Sequence, residues 1–290
     1  IAMPITHLLL SVYIVRRKPA PIDILLLNLT ISDLIFLAFL PFKIKEAVDD
    51  MNWNLPFFLC PVTGFLFYST IYNSTLLLTT VSVERYLGVA FPIRYALCHR
   101  PRYAVVASII CWVVSSLNLS VVYITIPTTC YLNFTQDQLS ILLPVRLELF
   151  LVLFCVPFLV CTFCYVNFIR ILSRLPNIGR RRRLRAIGLA LGTLLVFALC
   201  FGPYNVSHVV GFVRKDSESW RDVALLSSTL NACLDPIIFY FSSVAVRSML
   251  SHCFRSFVAT LHILKHPPVS CLSQWTNPLR RPQGWYSPSL

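Results

Sequence analysis

Long apolar runs separated by short basic punctuation constrain this chain more than any other feature. The runs mark candidate helices at 1–15, 22–47, 57–88, 103–126, 139–173, 185–213 and 221–243. A helix rises ~1.5 Å per residue, so ~20 mostly apolar residues cross a hydrocarbon layer ~30 Å thick. Composition agrees. The chain is 57% hydrophobic and only 13% charged, where soluble domains carry about a quarter charged residues. So many apolar side chains must face lipid as well as one another. The expected fold is an all-α membrane protein, a seven-transmembrane helix bundle. Residues 1–255 would form the bundle and 256–290 a disordered cytoplasmic tail. The first run is short and the chain opens on Ile1, so a truncated first helix is expected; no signal peptide is recognisable.

Charge fixes the expected orientation. Nineteen of the 25 Lys and Arg fall in the first, third and fifth connections, at the ends of the runs that border them, or in the tail. Basic connections stay in the cytoplasm, so the amino end should lie outside the cell and the carboxyl end inside. The net charge of +13 is then an orientation signal, and no soluble module is left to bind nucleic acid. Sequons occur at Asn28, Asn73, Asn118, Asn133 and Asn205. Only Asn133 falls in an outer connection, making it the candidate glycosylation site. Most cysteines, such as Cys111, Cys161 and Cys200, sit inside apolar runs as small packing residues.

Several polar residues are out of place in lipid. Asp33 and Asp235 lie mid-span in the second and seventh runs, where ionisable groups are costly and mark function. Either both carboxyls are neutralised by protons and hydrogen bonds, or they share a hydrated cluster able to hold a small cation. Glu84-Arg85-Tyr86 ends the third run at its inner end, and Cys60 begins it outside. Cys130 is the one cysteine in a predicted outer connection. A Cys60–Cys130 disulfide is expected from the oxidising compartment, with two free thiols as the alternative. Pro157, Pro203 and Pro236 interrupt three spans, where neighbours must satisfy the freed carbonyls.

These motifs, in order and one set per span, resemble the rhodopsin-like G-protein-coupled receptors from Asp23 to about Phe254. The carriers are Leu29 to Asp33, Glu84-Arg85-Tyr86, Trp112, Pro157 with Tyr165, Cys200-Phe201-Gly202-Pro203 and Asp235-Pro236-Ile237-Ile238-Phe239. Further runs are similar to the free fatty acid receptors, nearest their short-chain branch: Leu40-Pro41-Phe42-Lys43, Glu84 to Pro92, Leu143 to Leu149, and Cys200 to His208. The resemblance implies roles. Glu84, Arg85, Tyr86 and Tyr165 would form the inner switch that meets the G protein. Asp33, Ser74, Asn231 and Asp235 would bind sodium. This chain departs from the pattern with Phe201 for Trp, Phe239 for Tyr and Asn118 for a histidine.

Charge alone also suggests a ligand. Arg146, His208 and Arg221 lie at the outer ends of the fifth, sixth and seventh runs, which are neighbours in such a bundle. Each arginine could instead snorkel to headgroups. Glu148 is two residues from Arg146 and so points to a different face. Tyr204 shares a face with His208, and Tyr68 with Tyr72. A guanidinium fork matches a carboxylate and stays charged. A three-carbon acid has five heavy atoms, so binding is bounded near ~−7.5 kcal/mol, and sensing on the order of 0.1–1 mM is expected.

Taken with the resemblance, which is what implies the short-chain preference, the chain reads as a plasma-membrane receptor for acetate, propionate and butyrate, with membrane lipids around it. The family implies a G-protein partner of the Gi/o class, extending to Gq, and arrestin. The alternative is a carrier or proton-coupled transporter of small carboxylic acids, using Asp33 and Asp235 as a relay; the inverted repeats common in carriers are not visible. An enzyme is not expected, because no nucleophile, base and orienter gather in the spans. No cofactor and no metal are called for. Residues 242–254 suit a short amphipathic eighth helix on the inner leaflet, with Cys253 as a palmitoylation candidate.

Overall fold

The computed structural model describes residues 20–49, 53–98, 100–125, 136–175, 178–215 and 220–235. The 1–15 run, Cys130, Asn133, Phe239, the expected eighth helix with Cys253, and the tail lie outside the described residues. Every described residue belongs to one compact unit. Its helices are α1 (Pro21–Val48), α2 (Leu59–Ala90), α3 (Pro92–Cys98), α4 (Pro101–Thr125), α5 (Gln136–Phe150), α6 (Val156–Arg174), α7 (Arg180–Val196), α8 (Gly202–Arg214) and α9 (Arg221–Thr229). Helix resumes at 231–235 after a turn at Leu230. These helices match the second to seventh apolar runs closely, because length and apolarity select one structure in lipid, a helix that satisfies its own backbone.

Among the described residues, four helical stretches are long and apolar enough to cross a membrane: Pro21–Val48, Pro101–Tyr123, Gln136–Arg174 and Arg183–Arg214. The stretch Val223–Asp235 is apolar but shorter. The 32-residue α2 is not among the four. It packs against α1, α4 and α6, and it buries Thr63, Ser69, Thr70, Ser74, Thr75 and Ser82. A helix in the middle of a bundle touches protein rather than lipid, so small hydroxyl residues can replace apolar bulk and let neighbours approach. Elsewhere Ile109, Leu117, Leu159 and Phe163 are more than half exposed, as lipid-facing positions require.

The prolines do more than bend. A π-helical turn at Leu151–Cys155 precedes Pro157, and another at Phe197–Phe201 precedes Pro203. A proline ring clashes with the carbonyl four residues back and offers it no N–H; a wider turn relieves both problems. Neighbours then supply donors. Thr75 Oγ1 donates to the Leu153 carbonyl at 3.1 Å, the group Pro157 leaves without its donor. Ser227 and Ser228 Oγ donate to the Cys200 carbonyl at 2.9 and 3.1 Å. These bonds tie the turn before α6 to α2 and the turn before α8 to α9.

One boundary moves. The sixth span starts at Arg180 rather than 185, so Arg180 to Arg183 form the first turn of α7 instead of preceding it. Arg183 Nη2 donates to the Leu175 carbonyl at 2.6 Å, linking the helix start to the end of α6. Three sequons are spent structurally. Asn28 Oδ1 accepts from Trp112 Nε1 at 3.3 Å, joining α1 to α4. Asn118 and Asn205 each donate to a carbonyl four residues back in their own helices.

Candidate functional site

A small cavity lies where α2, α4, α5, α8 and α9 meet. Tyr68, Tyr72, Arg146, Tyr204, His208 and Arg221 all line it. Its volume is about 40 Å³. Each cavity residue comes from the helical register. Arg146 is buried while Glu148, two residues on, is exposed, because side chains two apart on a helix point to different faces. Tyr72 and Tyr204 belong to an apolar cluster with Leu119, Val122, Leu142, Leu149 and Leu153. That cluster forms the dry floor.

The polar wall is interlocked. Tyr72 Oη and His208 Nε2 are 3.0 Å apart, while His208 Nδ1 is buried with no hydrogen-bond partner among the described residues. The Arg221 guanidinium lies over the Tyr204 ring, 5.9 Å from its centroid. Tyr204 in turn stacks on Tyr68 at 5.9 Å and meets the His208 ring edge-on at 4.7 Å. Arg146 and Arg221 are near enough to repel, and both act on His208. The wall thus gathers two guanidinium groups and an imidazole around a space the size of a few heavy atoms. An oxyanion would relieve that repulsion.

Sequence reasoning missed Tyr123, Leu119 and Val122 on the α4 wall. Their 3–4 residue spacing was visible, but nothing local shows which α4 face meets α5. Asn118, flagged as a departure at the site, is not on the described wall.

The other predicted groups divide. Asp33 and Asp235 are side-chain neighbours although 202 positions apart, and Asn231 Nδ2 donates to Asp235 Oδ2 at 2.9 Å. Ser74 instead pairs with Ser32 of α1 at 3.2 Å, and Ser32 also donates to the Thr70 carbonyl at 3.1 Å. At the inner end, Glu84 Oε2 accepts from Tyr95 Oη on α3 at 2.9 Å. Arg85 is the neighbour of Tyr165; its Nε and Nη2 are buried with no hydrogen-bond partner among the described residues. Tyr165 donates to Thr193 Oγ1 at 3.4 Å, and the Tyr86 ring meets Phe163 edge-on. Phe201 is buried against Phe197 in the second π turn. Cys60 is held in a disulfide; its predicted partner Cys130 lies outside the described residues.

Comparison with known proteins gives a consistent answer. The profile of the 7 transmembrane receptor (rhodopsin family) matches residues 6–239. The chain is 51% identical to free fatty acid receptor 3 of Mus musculus, over 84% of this chain and 80% of that one. It is 49% identical to free fatty acid receptor 2 of Mus musculus, over 84% and 75%. It is 47% identical to G-protein coupled receptor 42 of Homo sapiens, over 84% and 73%. These relatives are receptors, and the carrier alternative falls. With its helical spans, its polar pair Asp33 and Asp235 and this sequence similarity, the chain belongs to the rhodopsin family of seven-transmembrane receptors and, within it, to the free fatty acid receptors.

Proposed function

We propose that this receptor binds short-chain carboxylic acids as carboxylates, held by Arg146, Arg221 and His208, with Tyr68, Tyr72 and Tyr204 as the supporting wall. The observation that carries this is the convergence of two guanidinium groups and an imidazole on a cavity of about 40 Å³. A cavity this small suits acetate or propionate better than a long acyl tail. Ligand that binds the closed arrangement better biases the bundle toward it, and Arg85 at the inner end couples that change to a G protein. The relatives' names, free fatty acid receptor 2 and 3, support a fatty acid as ligand. We assign the partner to the Gi/o class, extending to Gq, with arrestin as a second cytoplasmic partner.

The supporting features follow the same reading. The amino end lies outside a plasma membrane and the carboxyl end inside, on the strength of the basic inner connections. Cys60 pairs with Cys130, and Asn133 carries the glycan. Asp33, Ser74, Asn231 and Asp235 are the candidate sodium ligands.

The test is a G-protein activation assay with formate to hexanoate on wild type, Arg146→Ala and Arg221→Ala. Potency should peak at two to four carbons, and each substitution should abolish the response at 1 mM. Wild-type-like responses from both variants would overturn the carboxylate clamp.

A further inference from the structure

Two cavities share one wall. Tyr68 lines the small carboxylate cavity and also a larger one of about 280 Å³ between α1, α2 and α9. The larger cavity is mostly apolar, with Leu40, Ile44, Phe67, Leu225 and Leu226 on its walls. A buried ion pair interrupts it. Lys43 Nζ lies 2.7 Å from Glu46 Oε2, three residues on along α1, and the two side chains are 16% and 4% exposed. The neighbouring pair on the same helix, Lys45 with Asp49, is 51% and 21% exposed. An exposed pair of that kind contributes little. In a buried pair, removing either partner strands the other's charge in a dry place.

Lys43 stands in the electrostatic surroundings of the carboxylate site. Its Nζ lies over the Tyr68 ring, 5.5 Å from the centroid, and it is near enough to Arg221 to repel it. Tyr68 stacks on Tyr204, over which Arg221 lies. Three cations, Lys43, Arg146 and Arg221, thus line the two cavities, and among the described residues Glu46 is the one acid on their walls. Without Glu46, Lys43 would offer an anion a second anchor beside the two arginines. With it, Lys43 is occupied. A second carboxylate reaching past Tyr68 would meet the Glu46 carboxylate, and like charges at that range repel. A single carboxylate held by Arg146 and Arg221 asks nothing of Lys43.

We propose that Glu46 is a specificity residue that confines this receptor to monocarboxylates, because it holds Lys43 and repels the second carboxylate of a diacid. Discrimination of this kind comes from a repulsive group as much as from an attractive one. The inference rests on the carboxylate site proposed above and assigns what that site refuses.

The experiment is a G-protein activation assay on the full chain, with wild type, Glu46→Gln, Lys43→Met and the double variant. The ligands are propionate and the unbranched diacids from malonate to adipate. Wild type should answer propionate and ignore the diacids. Glu46→Gln keeps the side-chain size, frees Lys43, and should improve the potency of at least one diacid about tenfold. The double variant should lose that gain. Lys43→Met leaves Glu46 unpaired beside the site, so propionate potency should fall about fivefold and recover in the double variant. A Glu46→Gln variant that answers propionate but no diacid overturns the proposal. So does a diacid response that survives in the double variant, or a wild type that answers a diacid as readily as propionate. If Glu46→Gln does not reach the cell surface, propionate decides: equal potency in Lys43→Met and wild type would mean that Glu46 repels no anion. A wild type silent to propionate sinks the carboxylate site and this inference with it, whereas the diacid results sink this inference alone.

Discussion

Tyr72 on α2 and His208 on α8 are 136 residues apart in sequence, yet Tyr72 Oη sits 3.0 Å from His208 Nε2 in a fully buried contact. With Nε2 taken by the phenol, the imidazole has a fixed orientation on the cavity wall. Tyr72→Phe keeps the ring and removes the bond, which costs about 1 kcal/mol. Propionate potency should fall roughly fivefold in a concentration–response assay, with expression unchanged. His208→Ala should cost more, since it removes the imidazole from the wall altogether. Equal potency in Tyr72→Phe and wild type would mean the bond does not orient the histidine.

Arg146→Lys separates charge from shape. Lysine keeps the positive charge but has no planar fork to pair both oxygens of a carboxylate. Potency should fall at least tenfold, yet less than for Arg146→Ala. Radioligand or calorimetric titration of the two variants ranks them. A lysine variant as good as wild type would argue for point-charge attraction alone.

The Thr75–Leu153 bond crosses between α2 and the π turn before Pro157. Interhelical hydrogen bonds in membranes are worth about 0.6 kcal/mol, reaching ~1.7. Thr75→Val should lower the thermal midpoint of the detergent-solubilised receptor by a few degrees while leaving the cavity residues in place. An unchanged midpoint would mean that the Leu153 carbonyl finds another donor.

Gly64 faces Tyr123. A Cβ at position 64 would lie 2.5 Å from Tyr123 Oη, closer than real contacts allow, so the tyrosine must swing away. Tyr123 lines the cavity and meets Phe65 edge-on at 5.6 Å. Gly64→Ala should therefore lower ligand potency without contacting ligand, and Gly64→Ala/Tyr123→Phe should recover part of it. Potency insensitive to Gly64→Ala would place Tyr123 outside the binding event.

The sequence by itself determined the helices and their order. A bilayer leaves a backbone few choices, so apolar length alone predicted 22–47 and Pro21–Val48 emerged. Local spacing also determined which side chains share a face: Tyr68 with Tyr72, Tyr204 with His208, and Arg146 turned away from Glu148. Only the tertiary structure decided how those faces meet. It brought Asp33 to Asp235, turned Ser74 toward Ser32, placed α4 residues on the cavity wall and left Asn118 off it. It also turned two prolines into π turns whose carbonyls Thr75, Ser227 and Ser228 cap. The reason is physical: helical periodicity fixes directions within one helix, whereas the rotation of each helix about its axis depends on packing against neighbours distant in sequence.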